Sequence, residues 1–288
     1  MSVIKKYIAP IDTSTLRRKG ANSLFVGSIA GKSSKAFLDI NSLSKHLMLI
    51  GSTGAGKTTA SMIIAEECMM HNIAVLVMDI SNKWSNFKEK CTSESMLSAY
   101  RRFGMESPRS FDVSEVLVTG DDKPIKMSDF IESGKLGFFN LGKLDQKQFN
   151  TFICKTMKEL ISISRKGANN PRALVIIDDA YKLSPVFGGS ATPMLEDARS
   201  SLWCSGISLM IITHSFIDFE PFGFGTVGTE ICFRTPLEED IERAKSRYGS
   251  MYASCLPEIR TGEAMVSNID FNYGRPWFIK FRPLYHKQ

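Results

Sequence analysis

Short apolar runs recur along the chain, and most of them end in a polar or acidic residue. Apolar and β-branched side chains dominate residues 46–50, 73–78, 136–140, 173–177 and 208–214. Continuous runs of about four to eight apolar residues are typical of parallel strands that are covered on both faces. These runs therefore predict the central strands of a buried parallel sheet. Weaker patterns predict further strands at residues 24–30, 36–40, 230–234, 263–266 and 277–281.

Between these runs, apolar residues recur at spacings of three and four, which is the periodicity of an amphipathic helix. Ala60, Ile63, Ile64 and Cys68 share one face of a helix that ends near His71. Because strands alternate with helices, the chain is predicted to have an α/β fold with a mostly parallel central sheet. Further helices are predicted at residues 146–164 (with Asp145 as the N-cap), 193–204 and 236–248.

The pattern divides the chain into an N-terminal segment and a larger α/β domain. Residues 1–45 are mixed and basic, and they predict an arm or a short β subdomain. Residues 46–288 carry the alternating strands and helices. Within them, residues 81–135 are the least patterned and are interpreted as a partly helical insertion. The insertion is predicted to hold helical pieces at residues 95–103 and 128–133 and a turn at residues 120–124.

Composition narrows the class of protein. Hydrophobic residues make up 43% and charged residues 23% of the chain, as is typical of a globular protein. The longest apolar runs are far below the ~18 residues that span a bilayer, and the first residues lack the apolar core of a signal peptide, so a cytoplasmic location is expected. Cysteines and histidines are scattered, without the spacing of a metal cluster. The net charge of +6 permits a polyanionic partner, but it also suits an ordinary solvated surface.

A glycine-rich loop follows the first of the central strands. The sequence reads G-x-x-x-x-G-K-T, between an apolar run and a helical pattern. Glycines let backbone N–H groups surround an anion, and the N-terminus of the next helix adds its positive end. In this pattern the lysine reaches the β- and γ-phosphates of a nucleotide, and the threonine hydroxyl can bind Mg²⁺. The predicted nucleotide-binding residues are Gly51, Ser52, Thr53, Gly54, Ala55, Gly56, Lys57, Thr58 and Thr59.

A second pair of glycines offers a comparison within the same chain. Residues 27–33 read GSIAGKS, which is one residue short between the glycines. No apolar helical run follows this segment. It is therefore interpreted as an ordinary loop.

Two consecutive carboxylates, Asp178 and Asp179, end the apolar run at residues 173–177. Hydrolysis of a bound nucleotide requires an acid that holds Mg²⁺ and a group that orients the attacking water. Asp178 is the candidate for the metal and Asp179 for the water. Their separation of about 120 residues from the loop suits a neighbouring strand of a P-loop fold. The pair is also compatible with an ordinary strand exit or a helix cap.

Polar residues elsewhere supply further catalytic candidates. Thr213 and His214 end the next apolar run, where a polar side chain can sense the γ-phosphate, although His214 can equally bind a local backbone group. Arg199 lies on the intervening helix and is a candidate to stabilise the transferring phosphoryl group across a subunit interface. The alternative for Arg199 is a surface salt bridge. Weaker candidates for the same role are Arg243, Arg247 and Arg260.

The ordered set of motifs resembles one family. Along the chain the segments read INSLSKHLMLIGSTGAGKTT, VLVMDIS, ALVIIDDAYKLSP, MLEDARSSLWCSGISLMIITHS, EICFRT and RTGEAMV, within about residues 24–283. In this order they resemble the HerA/FtsK superfamily of P-loop ATPases, and most of all its HerA branch. That branch includes archaeal DNA-processing translocases, conjugation ATPases and viral genome-packaging ATPases.

The resemblance implies a RecA-like core that forms a hexameric ring, binds ATP and Mg²⁺ between subunits, and pumps double-stranded DNA through its centre. By position it makes Lys57 and Thr58 the phosphate and Mg²⁺ residues. It makes Asp178 the second acidic motif, and Arg199 an arginine finger that reaches the nucleotide of the neighbouring subunit.

Two positions depart from the family pattern. The family usually has Glu where this chain has Asp179, and Gln where it has His214. The shorter carboxylate of Asp179 lies about one methylene further from the water, which predicts slow hydrolysis or a different geometry. The N-terminal strands are also too few for the family's accessory barrel, so only a stub of that domain is expected.

The leading hypothesis is therefore an ATP-driven motor on double-stranded DNA. Lys83, Lys88 and Lys90 could line its channel, or they could lie on solvated faces.

One alternative is a secretion or conjugation ATPase, and another is an ATP-binding assembly or regulatory subunit with weak turnover. A small-molecule kinase would need a basic lid motif, which is not recognisable. Expected partners are duplex DNA, further copies of the chain, and a nuclease, capsid or secretion component, in the host cytoplasm if the protein is viral.

Overall fold

A single eleven-stranded sheet organises the computed structural model, which describes residues 19–120, 125–219 and 227–287. The predicted arm up to residue 18 and residues 121–124 of the predicted turn lie outside the described residues. The strands are β1 (Ser23–Ile29), β2 (Lys35–Asp39), β3 (Leu47–Ile50), β4 (Ala74–Asp79), β5 (Val113–Leu117), β6 (Leu136–Asn140), β7 (Ala168–Ile177), β8 (Ser205–Ile212), β9 (Thr229–Cys232), β10 (Glu263–Asn268) and β11 (Trp277–Phe281).

The sheet has a parallel part and an antiparallel part. Its order is β2-β1-β11-β10-β9-β3-β8-β7-β4-β6-β5. From β9 to β5 all neighbouring strands are parallel, and from β2 to β9 they are antiparallel. The prediction of an α/β fold with a mostly parallel sheet is confirmed. The carboxyl ends of β3, β8, β7 and β4 therefore meet at one edge, where ligands of such sheets bind.

The order of the central strands corrects one prediction. Asp178 does not end a strand next to that of the glycine-rich loop, because β8 lies between β3 and β7. Leu49 of β3 pairs with Ile212 of β8, and Ile177 of β7 pairs with Ile211 on the other side of β8. The loop and the acidic residues nevertheless share one edge of the sheet. Their side chains can therefore meet across the end of β8.

Helices cover both faces of the sheet. Leu49 packs in one core with Ile63 of the helix after the glycine-rich loop, whereas Met48 faces the opposite core with Ile153 and Leu195. Successive strand residues thus alternate between two cores. None of the described helices combines the length and the apolar composition that a membrane span requires. The helices are α1 (Ile40–Leu43), α2 (Lys57–Met70), α3 (Glu94–Phe103), α4 (Gln146–Ile163), α5 (Thr192–Leu202), α6 (Glu238–Tyr248) and α7 (Ser250–Ala253).

The predicted insertion takes part in the sheet. Residues 113–117 form β5, which pairs in parallel with β6 at the edge and was not predicted. The predicted helical pieces correspond to α3 and to a short 3-10 turn at Met127–Phe130. The sheet also runs across the predicted boundary at residue 45, because β1 pairs with β11. The division into an arm and an ATPase domain stays a prediction.

His46 ties the start of β3 to the neighbouring strand and helix. The backbone N–H of Leu209 donates to Nδ1 of His46 at 3.0 Å, so the other ring nitrogen, Nε2, carries the proton and donates to the carbonyl of Arg199 at 2.9 Å. The side chain is fully buried, and burial lowers its pKa from 6.5 to about 4. A second ring proton would point at the Leu209 N–H, so the fold requires the neutral imidazole.

This arrangement predicts acid sensitivity at His46. Between pH 6.5 and 4 the unfolded chain binds the proton and the folded chain does not, so the free energy of unfolding falls as the pH falls, by about 3 kcal/mol from this residue. His46→Asn, which tolerates the positive φ of 63° there, should flatten that slope in urea unfolding at several pH values. His71→Gln, at the end of α2, should keep it. An unchanged slope in His46→Asn would contradict the assignment.

Candidate nucleotide site

The loop between β3 and α2 has the backbone of an anion site. Gly51 has φ of +142°, and a Cβ there would lie 2.7 Å from Cβ of Phe233. Gly56 has φ of +112° and stands before Lys57, the first residue of α2, where no side chain caps the helix. The first N–H groups of α2 therefore point towards the loop without a side-chain acceptor at the cap.

Lys57 folds back over this loop. Its ammonium donates to the carbonyl oxygens of Gly51 at 2.6 Å and Ser52 at 3.0 Å. Burial lowers the pKa of Lys57 from 10.5 to about 8, although Asp179 and Asp178 act in the opposite direction. The lysine is thus held at the centre of the loop, where a phosphate would meet both the ammonium and the backbone N–H groups.

Asp178 lies at the mouth of the same loop. The hydroxyl of Thr58 donates to Oδ2 of Asp178 at 3.2 Å, across 120 residues of sequence. The side chain is buried, and burial raises its pKa against the effect of nearby Lys83. A hydroxyl and a carboxylate oxygen at this distance are hard oxygen donors of the kind that Mg²⁺ prefers.

The side chain of Asp179 has a different partner from that of Asp178. Its φ is +51°, and its backbone N–H donates to Oδ1 of Asp178 at 2.9 Å. Although Asp179 stands before a short 3-10 helix, its side chain makes no cap hydrogen bond, and it pairs instead with the ammonium of Lys83 at 3.1 Å. Sequence reasoning considered Lys83 for a DNA channel with Lys88 and Lys90, whereas the structure places Lys83 beside the acidic residues.

Asp79 explains why Lys83 lies there. This fully buried carboxylate ends β4 and accepts hydrogen bonds from the N–H of Ser81 at 2.7 Å, the hydroxyl of Ser81 at 2.6 Å and the N–H of Lys83 at 2.6 Å. The turn after β4 is therefore fixed by its own strand end. Trp84, which follows Lys83, is buried and donates its indole N–H to Asp178. The sequence analysis does not single out Trp84, whose only signal is a large aromatic residue in a polar stretch after a buried strand.

His214 lies near the same cluster. It is half-buried after β8, and its ring lies 4.5 Å from the ring of Tyr181. Burial lowers the pKa of His214, and the positive charge of Lys57 adds to the effect. The neutral imidazole can therefore accept or donate a hydrogen bond. Its neighbour Thr213 is buried and donates to Asp218 at 2.5 Å, which leaves His214 as the polar group at the end of β8.

Arg199 lies at the other end of the sheet. Its carbonyl accepts from His46, which precedes β3, whereas the glycine-rich loop follows β3, roughly 16 Å away along the strand. The Arg199 side chain pairs with Glu196 through Nη2 at 2.5 Å and Nε at 2.9 Å. It does not meet Lys57 within one chain. A role at a nucleotide would have to be played in a neighbouring subunit.

The three weaker arginine candidates differ in the residues that they contact. Arg243 and Arg247 both pair with Glu230, whose carboxylate is almost fully buried, at 3.1 Å and 2.7 Å. Arg260 is exposed and lies two residues before Gly262, whose N–H donates to the carbonyl of Ala55 in the glycine-rich loop at 3.1 Å. Arg260 therefore belongs to the segment that contacts the loop through Gly262.

The site offers two protein oxygen atoms that could bind Mg²⁺. Among the described residues no group of three or more His, Cys, Asp or Glu side chains could hold a metal ion. Mg²⁺ does not require such a group at a phosphate site, because it is usually held by one or two protein oxygens together with phosphates and water. Thr58 and Asp178 supply a pair of this kind.

Comparison with known sequences finds one family. The model of the central domain of helicase HerA matches residues 24–130. This segment contains the glycine-rich loop, α2 and the turn with Lys83 and Trp84, but ends before Asp178. A search of curated protein sequences finds no match.

Comparison with solved structures finds the same fold at low sequence identity. VirB4 of Thermoanaerobacter pseudethanolicus is 11% identical with a TM-score of 0.62, over 92% of this chain and 97% of that chain. The DNA-packaging ATPase B204 of Sulfolobus Turreted Icosahedral Virus is 15% identical with a TM-score of 0.51, over 82% and 97%. B204 of Sulfolobus turreted icosahedral virus 2 in complex with ATP-gammaS has the same identity and TM-score, over 83% and 97%. The predicted RecA-like P-loop fold is confirmed.

Proposed function

We propose that this chain, a P-loop ATPase of the HerA/FtsK type, hydrolyses ATP to move double-stranded DNA as one subunit of a ring. The observation that carries the nucleotide part is the hydrogen bond between Thr58 and Asp178 at the mouth of the glycine-rich loop. It joins the phosphate-binding loop to an acidic strand end, as hydrolysis of a metal-bound triphosphate requires.

The positions of the site residues support one set of roles. Lys57 and the N–H groups at the start of α2 would bind the phosphates, and Thr58 and Asp178 would hold Mg²⁺. The bound metal would neutralise charge on the β- and γ-phosphates. Asp179 would orient the attacking water after leaving Lys83, and His214 would contact the γ-phosphate.

The fold, the net charge and exposed lysines support the DNA part of the proposal. One solved structure of the same fold, which aligns with this chain over 97% of its own length, is a DNA-packaging ATPase. The net charge of +6 favours contact with a polyanion. Exposed lysines such as Lys88 and Lys90 are candidates to contact phosphates in a hexameric ring. A nuclease, capsid or secretion component is the expected further partner.

DNA-dependent turnover tests this function. Steady-state ATP hydrolysis is measured with and without duplex DNA of mixed sequence, at several salt concentrations. We expect DNA to stimulate turnover without sequence preference, and the stimulation to fall steeply between about 50 and 200 mM salt. Turnover that is unaffected by duplex DNA at low salt would contradict the motor.

Arg199 provides a test of the ring. Because an arginine finger contributes on the order of 10³-fold or more to phosphoryl transfer, we expect Arg199→Ala to lose turnover to that extent while it still binds ATP. Arg101→Ala, an exposed arginine on α3, is the control. Mixing Arg199→Ala with Lys57→Ala subunits should restore part of the activity, since an intact loop then meets an intact arginine. Absence of rescue would contradict a role across the interface.

The pairing of Asp179 with Lys83 favours a second candidate function. If this ion pair persists in the presence of nucleotide, the water would lack its base, and the chain would act as an ATP-binding assembly or regulatory subunit with weak turnover. Tight binding of an ATP analogue with no turnover, with or without duplex DNA, is the result that would select this function. A secretion ATPase with a protein cargo would hydrolyse ATP without stimulation by duplex DNA.

A further inference from the structure

Trp84 contacts the candidate metal residue from outside the nucleotide loop. Its indole Nε1–H donates to Oδ2 of Asp178 at 3.2 Å, which is the same oxygen that accepts from the hydroxyl of Thr58. The indole is fully buried. An indole N–H can only donate, so this contact supports the ionised carboxylate and fixes the direction of its oxygens.

A stack of rings holds the indole in place. Phe87 stacks on Trp84 with ring centroids 5.3 Å apart and an angle of 11°, and the ring of His286 also stacks on Phe87, with centroids 3.6 Å apart. Nδ1 of His286 lies 2.7 Å from Oε1 of Glu66, which belongs to α2. The helix that begins with Lys57 therefore carries the frame against which the indole rests.

The other end of Trp84 is fixed by the turn after β4. Asp79 binds the N–H groups of Ser81 and Lys83, so the backbone before Trp84 has little freedom. The indole is thus fixed through the chain on one side and through packing on the other. Because the indole is already fixed, it loses little conformational entropy when it holds the Asp178 carboxylate in one orientation.

We propose that Trp84 is a positioning residue that orients the Asp178 carboxylate for a divalent cation, so that the cation and the triphosphate bind together. This inference rests on the proposed nucleotide function. Thr58 and Asp178 would hold the cation, and the indole would keep donating to Oδ2 of Asp178 from the side of the turn after β4. Groups that hydrogen-bond a metal ligand in this way commonly contribute about 10–100-fold to metal affinity.

Replacing Trp84 with phenylalanine tests the contribution of the indole N–H. Trp84→Phe keeps an aromatic ring against Phe87 and removes only the donor and one ring. The binding of a fluorescent, non-hydrolysable ATP analogue is followed by anisotropy as Mg²⁺ is added. We expect the half-saturating Mg²⁺ concentration to rise about tenfold or more, with binding in EDTA unchanged. Trp203→Phe, a half-buried tryptophan after α5, is the matched control and should leave both values unchanged.

The outcomes separate this inference from the proposed function. A wild-type protein that does not bind the analogue overturns the nucleotide function itself. Analogue binding with the same Mg²⁺ dependence in Trp84→Phe and wild type overturns only the role of Trp84. A purely structural role would weaken binding equally in EDTA and in Mg²⁺, which also overturns the proposal.

A second measurement leaves Trp84 intact in case the substitution prevents folding. Replacing Trp203 and Trp277 by phenylalanine makes Trp84 the sole tryptophan, since the chain has three. We expect its emission to change when Mg²⁺ and the analogue are added together, and this change to be lost in Asp178→Asn. Emission that does not respond to Mg²⁺ while the analogue binds would overturn the proposal.

Discussion

Replacing Lys57 with alanine is expected to lower ATP turnover by about 10²–10³-fold or more. The ammonium is buried in the loop, where its carbonyl contacts to Gly51 and Ser52 hold it at the place the phosphates would occupy. Alanine removes a positive charge from a site of low dielectric, where it acts more strongly than in water. The backbone N–H groups remain, so residual phosphate binding is weaker but measurable.

The second glycine pair supplies the control for this experiment. Lys32 follows Gly31 in a loop that resembles the nucleotide loop, but it is exposed and stands before β2 rather than a helix. We expect Lys32→Ala to hydrolyse ATP at the wild-type rate, as measured by phosphate release at saturating ATP. If Lys57→Ala kept wild-type turnover, or if both variants lost it equally, the site would be wrongly assigned.

Replacing Arg282 with methionine is expected to lower the free energy of unfolding by about 3–5 kcal/mol. The guanidinium is fully buried and pairs with Glu66 at 2.7 Å and Glu67 at 2.9 Å, both on α2. Burial would raise the pKa of Glu66, but Arg282 and His286 hold it below its ordinary value, whereas burial prevails at Glu67 and raises its pKa. Methionine would leave these carboxylates in the core without their cation.

Urea unfolding measures this effect. Arg109→Met is the control, because Arg109 pairs with Glu106 at the surface, and we expect it to cost less than about 1 kcal/mol. Adding Glu66→Gln and Glu67→Gln to Arg282→Met should recover part of the loss, since no unpaired charge then remains buried. A loss in Arg282→Met as small as that in Arg109→Met would show that the cluster contributes little to the attachment of the C-terminal segment to α2.

The local parts of the fold could be read from the sequence because local physics determines them. The strand at Leu136–Asn140 and the cap at Asp145 lie as predicted, and Asp145 forms a capping box with Gln148. A buried strand requires apolar residues at every position, and a helix start requires a side-chain acceptor. In contrast, β5 is half-exposed and carries Ser114 and Glu115, so its pattern lacks the apolar signal.

The contacts between site residues that are far apart in the sequence could not be predicted from local patterns. The sequence places Asp178 at a strand end, but the insertion of β8 between β3 and β7 is a property of the sheet order, which no local pattern specifies. Trp84 and Lys83 reach the acidic pair across more than ninety residues of sequence. Their roles depend on the turn that Asp79 fixes, and single residues at such distances carry no periodic signal.

A crystal structure with a non-hydrolysable ATP analogue and Mg²⁺ would show whether the glycine-rich loop and Asp178 share one metal-bound nucleotide. We expect the triphosphate inside the loop at residues 51–56, with Lys57 on the β- and γ-phosphates and the metal ion between Thr58, Asp178 and the phosphate oxygens. A nucleotide bound elsewhere on the chain, or a triphosphate in the loop with its metal ion remote from Asp178, would show that the site is wrongly assigned.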